Sequence, residues 1–160
     1  MEPAYTLITN EADYREACAT VIARAERELL IFDRNLVAPR LEDKSRIDLL
    51  SAFLAAPGLR RMRIVLHEPE YLRRTAPRLM QLFARYSHQI EIRQTPDNLR
   101  QLADTHIIAD DMHAIRRFQF DQPRCALILD DPGAVSPWCQ RFEDLWEQSL
   151  PCLSANTSGL

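Results

Sequence analysis

Apolar and polar residues follow one another along this chain in blocks that switch between a helical and a strand period. Residues 5–8 read as a short opening strand, and Asn10 is placed to cap a helix whose Tyr14, Ala17 or Cys18, Val21, Ile22 and Ala25 recur at helical spacing. Residues 28–32 (Glu-Leu-Leu-Ile-Phe) form a run typical of a buried strand, with Asp33, Arg34 and Asn35 at its carboxyl end. A loop containing Pro39 leads to a helix from Lys44 that carries Ile47, Leu50 and Leu54 on one side and stops at Pro57-Gly58. Residues 63–67 predict another buried strand. The helical stretch 68–86 is divided by Pro77, with Thr75 as the cap of its second part and Leu79, Leu82, Phe83 and Tyr86 as the inward stripe.

Residues 90–93 alternate as a strand, and residues 96–103 predict a loop with a single helical turn. Beyond them the rhythm changes. Two short strands, 106–109 and 114–118, flank Asp110, Asp111, Met112 and His113 in the manner of a hairpin, and a third strand follows at 125–129. Asp130-Asp131-Pro132-Gly133 predicts a turn, after which Ser136 and Pro137 open a final helix with Trp138, Phe142, Leu145, Trp146 and Ser149 on one face. Strands alternating with helices over the first two thirds imply βαβ crossovers. The expected fold class is therefore α/β, a mixed but mainly parallel sheet with helices on both faces. Residues 1–149 form one domain and residues 150–160 a disordered tail.

Composition adds exclusions. At 160 residues with 46% hydrophobic and 27% charged residues, the chain has the balance of a globular domain. No apolar run is long enough to span a bilayer, and Glu2, Thr6, Asn10 and Glu11 occupy the start where an export signal needs a basic and then apolar segment, so a cytoplasmic protein without membrane association is expected. Cys18, Cys125, Cys139 and Cys152 lack any paired spacing, which predicts reduced thiols and neither metal site nor cofactor. The net charge of −3 argues against nucleic acid as a partner. Lys44 is the only lysine, so the positive charge lies on arginines, clustered at 60–63, 73–78 and 116–117. Solvated helix faces and strand ends account for most of them.

The order of elements, with the hairpin segment from His106 to Phe118 and a closing helix bearing Phe142-Glu-Asp-Leu-Trp146, resembles one half of the phospholipase D-like superfamily. It looks most like a small bacterial branch with degenerate active sites, some of whose members are joined to acetyltransferase-like domains. The resemblance implies a homodimer, because the family pairs its half-domains, and by the same analogy an acetyltransferase-like partner. In that family a His-x-Lys-x-x-x-x-Asp motif supplies a nucleophilic histidine, a lysine that neutralises phosphoryl charge, and a supporting aspartate. Here the motif fails in every register. With Asp111 as the aspartate, the nucleophile falls on Asp104 and the lysine on His106; with His106 as nucleophile, Ile108 and His113 take the other places. Starting from His113, His67 or His88 puts Ile115, Pro69 or Ile90 at the lysine position, and Lys44 has Glu42 two residues before it.

The resemblance thus implies a non-catalytic interaction or ligand-binding module. The enzymatic alternative is a divergent phosphodiesterase or nuclease with His106, Asp104 and Asp111 as catalytic candidates, and a third reading is an arginine-mediated binder of phosphate or nucleic acid. Asp104, His106, Asp110, Asp111 and His113 are the densest group of ligand-type residues, although turn chemistry explains Asp110-Asp111 and a half-buried His106 paired with Asp104 explains the rest. Asp33, Arg34 and Asn35, with Arg116, are the ligand-binding candidates, since open α/β sheets bind at the carboxyl ends of their strands. Against this, Asp33 and Arg34 can simply pair with each other at the start of a loop. Trp138, Phe142 and Trp146 have the spacing of a core or dimer seam.

Overall fold

The computed structural model describes residues 2–153, and the tail expected at 154–160 lies outside the described residues. Strand β1 (Ala4–Ile8) leads into helix α1 (Glu11–Arg24), whose start is capped as expected: the Asn10 side chain accepts the Asp13 N–H at 2.8 Å. Then come β2 (Glu28–Asp33), α2 (Lys44–Ala55), β3 (Arg61–Leu66), α3 (Glu70–Thr75), α4 (Pro77–Arg85) and β4 (Ile90–Gln94). A 3-10 turn at Asp97–Leu99 precedes the hairpin of β5 (Thr105–Ala109) and β6 (His113–Arg117). The described chain ends with β7 (Cys125–Leu129), α5 (Pro132–Gln148) and β8 (Leu150–Pro151).

All eight strands form one sheet in the order β1-β7-β6-β5-β2-β3-β4-β8. Only β2–β3 and β3–β4 are parallel, and the remaining five neighbouring pairs are antiparallel, so the sheet is mixed but mostly antiparallel rather than mainly parallel. The reason lies in where the late hairpin inserts. β1, α1 and β2 have the sequence of a βαβ unit, yet β5, β6 and β7 sit between the two strands and turn a parallel pair into a series of antiparallel ones. Helices do cover both faces. α1, α2 and α4 pack with Leu29, Ile31, Ile107 and Ile115 on one face, while α5 lays Val135, Phe142, Leu145 and Trp146 on Leu30, Phe32, Ile108 and Ala114 on the other.

Three local expectations change. Thr75 does not cap α4; its hydroxyl donates to the Tyr71 carbonyl at the end of α3, and the first N–H groups of α4 are taken from outside by Glu42, which accepts from Arg78 N at 3.0 Å and Leu79 N at 2.9 Å. Helix α5 opens one turn earlier than Ser136, with the Asp131 side chain accepting the Ala134 N–H and Pro132 in the first turn, so that Pro137 lies inside the helix. Residues 150–153, expected in the tail, close the sheet instead: Leu150–Pro151 pairs with β4, and Leu153 is buried.

The hairpin is fastened at its turn. Asp110 and Asp111 both have positive φ (56° and 58°), a left-handed conformation that aspartate tolerates. The Asp110 carboxylate accepts the backbone N–H groups of Glu26, Arg27 and Glu28 at 2.8–2.9 Å, tying the turn to the start of β2. Asn also tolerates left-handed backbone, so Asp110→Asn isolates these bonds: it replaces one acceptor oxygen with a donor and is expected to cost about 1–2 kcal/mol in urea denaturation. Asp111→Asn, which disturbs none of them, should stay within about 0.5 kcal/mol.

Candidate functional site

Parallel β2, β3 and β4 end at the same edge of the sheet, and the antiparallel hairpin brings the start of β5 and the end of β6 to that edge as well. Asp33, His67, Thr95, Thr105, His106 and Arg117, most of the buried polar residues among those described, gather at this pole. Strand alternation sorts them by face. The register Phe32–His106–Arg116 lies under α5, whereas Asp33, Thr105 and Arg117 face α1.

On the α5 face, His106 is only 2% exposed and lies against the Phe32 ring at 5.6 Å and the Phe142 ring at 6.0 Å. Among the described residues neither ring nitrogen has a hydrogen-bond partner. Burial pulls its pKa down to about 3, opposed by Asp104 and reinforced by Arg116 and Arg141, so the imidazole is neutral at physiological pH. The expected pairing of a half-buried His106 with Asp104 is not formed. Asp104 is held instead by Arg141 of α5, whose Nε and Nη2 donate to its two oxygens at 3.0 and 2.6 Å. Arg116 stacks over Trp138, 3.1 Å from the ring centroid, and its Nε is buried without a partner. Phe142 and Trp146 are core residues stacked on each other at 5.9 Å. His67 is bonded on both sides: Nδ1 faces Thr95 Oγ1 at 2.7 Å and Nε2 faces the Leu102 carbonyl at 3.0 Å. A carbonyl only accepts, so the proton sits on Nε2 and Nδ1 receives the Thr95 hydroxyl.

On the α1 face, Asp33 is buried and serves its own loop. Its Oδ2 accepts the N–H groups of Asn35 at 3.1 Å and Leu36 at 2.6 Å, where Leu36 turns through φ 66°. The expected Asp33–Arg34 pair is absent, because Arg34 binds Glu68 at 2.9 Å and stacks on Phe120 at 3.8 Å. Asn35 Oδ1 accepts the Val37 N–H, which is turn chemistry. Burial raises the Asp33 pKa to about 6 against the opposing pull of those backbone donors and of Arg117. Arg117 itself is engaged by Glu11 through a two-bond fork at 3.0 and 2.6 Å.

The pole therefore unites Asp104, His106 and Arg116 on one face, with Asp33, Arg34 and Asn35 beside them, but not Asp111. That residue lies at the far end of β5, roughly 15 Å away at about 3.4 Å per strand residue, and accepts from the Cys139 thiol. His113 is at that end too, with Nδ1 accepting the Asp130 N–H. The group from Asp104 to His113 is split, and among the described residues no cluster of three His, Cys, Asp or Glu side chains is placed to hold a metal. Asp110, rather than Asp111, makes the bonds that tie the turn to β2; counting back from it puts Ala103 and Thr105 at the nucleophile and lysine positions of the resembled motif. Arg141 and Thr95 were not among the sequence candidates. Neither has a local signal, since each becomes polar-site material only through a partner 37 or 28 residues away.

Comparison with solved structures finds this fold in the phospholipase D family member Nuc from Salmonella typhimurium, at 16% identity and a TM-score of 0.68, covering 94% of this chain and 99% of that one. NucT from Helicobacter pylori matches at 11% identity and a TM-score of 0.62, over 94% and 100% of the two chains. TrmBL2, an archaeal chromatin protein with a novel mode of DNA binding, matches at 16% identity and a TM-score of 0.68 over 92% of this chain. This chain spans about half of the chromatin protein, 54% of its length. The fold is phospholipase D-like. No curated protein matches in sequence, and the profile of a family described as a domain of unknown function, DUF7931, matches residues 10–156.

Two of the buried titratable groups, Asp33 and His106, give opposite pH signatures. Between its ordinary 3.8 and about 6, Asp33 keeps in the fold a proton that the unfolded chain has lost, so stability falls as pH rises through that window. Between 6.5 and about 3, His106 stays neutral while the unfolded chain takes up a proton, so stability falls as pH drops. Asp33→Asn, which keeps an acceptor for the loop, should abolish the first slope and add up to about 3 kcal/mol at pH 7. His106→Leu should reduce the second, leaving the part that His67 and His113, whose pKa values burial also lowers, contribute, and add about 1–2 kcal/mol by removing unpartnered ring nitrogens. Urea titrations from pH 4 to 7 read both, and a strongly destabilised His106→Leu would mean that the imidazole has partners.

Proposed function

This chain belongs to the DUF7931 family, and from that premise and its phospholipase D-like fold we propose a degenerate half-domain that binds a ligand or partner without phosphohistidine catalysis. The observation that carries this reading is the state of the pole. A nucleophilic imidazole must reach phosphorus and share its proton with a neighbour. His106 is sealed under Phe142 and has no hydrogen-bond partner among the described residues. Asp104 is taken up by Arg141, and a carboxylate there repels the phosphoryl oxygens that a lysine would neutralise. The four cysteines are free, and among the described residues no helix is long and apolar enough to cross a membrane, which supports placing the domain in a reducing cytoplasm. An acetyltransferase-like partner remains part of the proposal by family analogy alone.

Hydrolysis of bis-p-nitrophenyl phosphate and of a short DNA, with and without added divalent metals, tests it. No turnover is expected from the wild type, and turnover that disappears in His106→Ala would overturn the non-catalytic reading and restore the phosphodiesterase alternative.

One observation favours anion binding as the form this role takes. Among the described residues Arg116 has no carboxylate within salt-bridge distance, and its guanidinium is already oriented by the Trp138 ring beside the pole. TrmBL2 shares the fold and binds DNA, which brings nucleic acid into consideration despite the net charge of −3. Titration of a fluorescent single-stranded DNA separates the cases. Binding through Arg116 should weaken steeply with salt and fall about tenfold or more in Arg116→Ala, whereas no binding at low salt leaves a protein partner as the occupant.

A further inference from the structure

The loop between β2 and α2 and the corner between α3 and α4 face each other across a cleft of about 310 Å³, on the side of the sheet covered by α1, α2 and α4. Its floor is apolar and sealed, with Leu36, Leu72, Ala76 and Leu79 each at most 3% exposed. Leu36 contributes to that floor from left-handed backbone (φ 66°), a conformation unfavourable for leucine that the Asp33 carboxylate supports by accepting its N–H at 2.6 Å. The two walls are clamped together. Arg34 pairs with Glu68 at 2.9 Å at the start of the loop, and at its end Glu42 accepts the Arg78 and Leu79 N–H groups of α4. A cleft fixed in this way needs little ordering when a ligand enters.

The rim carries a free charge of each sign. Arg40 and Asp43 both line the cleft, are exposed, and leave one stretch of turns in which the Asp43 N–H donates to the Arg40 carbonyl at 3.1 Å. Neighbouring charges are engaged elsewhere, Arg34 with Glu68, Lys44 with Asp48, Arg73 with Glu70, and Glu42 with α4. Among the described residues Arg40 and Asp43 form no ion pair of this kind. Asp43 even stands at the N-cap of α2 without accepting a cap bond, the ordinary use of an aspartate there.

We propose that this cleft binds a free apolar α-amino acid of the size of leucine. Arg40 holds the carboxylate as a fork, Asp43 takes the ammonium, and the side chain lies on Leu36, Leu72, Ala76 and Leu79. The volume is at the small end of ligand sites, which run from about 300 to 1,000 Å³. The two charges of such a ligand sit on one carbon, and the two on the rim sit on one turn. A plain carboxylate would be repelled by Asp43, a plain amine would be repelled by Arg40, and a polar side chain would be desolvated on the floor without a partner. The site shares no residue with the Arg116 and His106 region, so its success or failure leaves the reading of the pole as it stands.

Isothermal titration calorimetry of the full chain with L-leucine tests this. A ligand of so few atoms is expected to bind with a Kd of about 0.1–1 mM. Leucinamide, which lacks the carboxylate, isocaproate, which lacks the ammonium, and glycine, which lacks the side chain, should each bind about tenfold or more weakly. Arg40→Gln and Asp43→Asn replace exposed side chains and should leave the circular dichroism unchanged while each lowers the affinity for leucine about tenfold. Amide chemical shifts of residues 35–43 and 71–79 should move on titration, and those of β5 and β6 should not. Neither heat nor a shift change with leucine at about 10 mM, well above that range, would overturn the proposal. So would isocaproate or leucinamide binding as tightly as leucine, or leucine binding that both variants leave unchanged, since the paired charges would then not be what recognises the ligand.

Discussion

The fastening of the β5–β6 turn to the start of β2 by Asp110 is the contact on which the rest of the molecule depends. β2 and β5 are the join between the parallel and antiparallel halves of the sheet, and side chains on a strand change face with every residue. Three backbone N–H groups on one carboxylate hold that join in one register. A slip by one residue would bring His106 to the α1 face and Thr105 under α5, and the pole would lose its sorting into an aromatic side and a carboxylate side.

What the register delivers is a pole of high electrostatic tension with little outlet to solvent. An imidazole without partners sits among rings, a carboxyl with a raised pKa closes a loop, and two arginine forks are each satisfied by an acid from a distant element. Buried polar groups that are only partly satisfied cost stability. They are concentrated at the carboxyl ends of the parallel strands, where open α/β sheets bind ligands, which is what supports the proposed binding role of this end of the sheet.

Most of the secondary structure was legible because its signals are local. The apolar runs of β2, β3 and β7 and the Asn10 cap depend on neighbours a few residues apart, and each is found where the spacing places it. Sheet order was not legible. Helix–strand alternation reads as parallel pairing only if successive strands are adjacent, and nothing near β1 announces that three later strands will come between it and β2. The site shows the same divide. Asp104 and His106 were read together because strand alternation brings them to one face, whereas Arg116, which the register sets beside them, was read with Asp33, Arg34 and Asn35; the partner of Asp104 comes from α5, and proximity in sequence wrongly offered His106 to Asp104 and Arg34 to Asp33. Asp111 was joined to the group for the same reason, although five strand residues carry it to the opposite end.

The interleaving of the sheet also fixes an order of assembly during synthesis. Ile8 pairs with Cys125, and 125 − 8 = 117 residues separate them. β2, α2, β3, α4 and β4 can associate as soon as they emerge, since each joins a neighbour made shortly before, whereas β1 has no strand to dock against until β7 is complete. Within the domain, β1 therefore waits until most of the other strands have been made, and the final closure of the domain is the capture of its oldest residues by some of its newest.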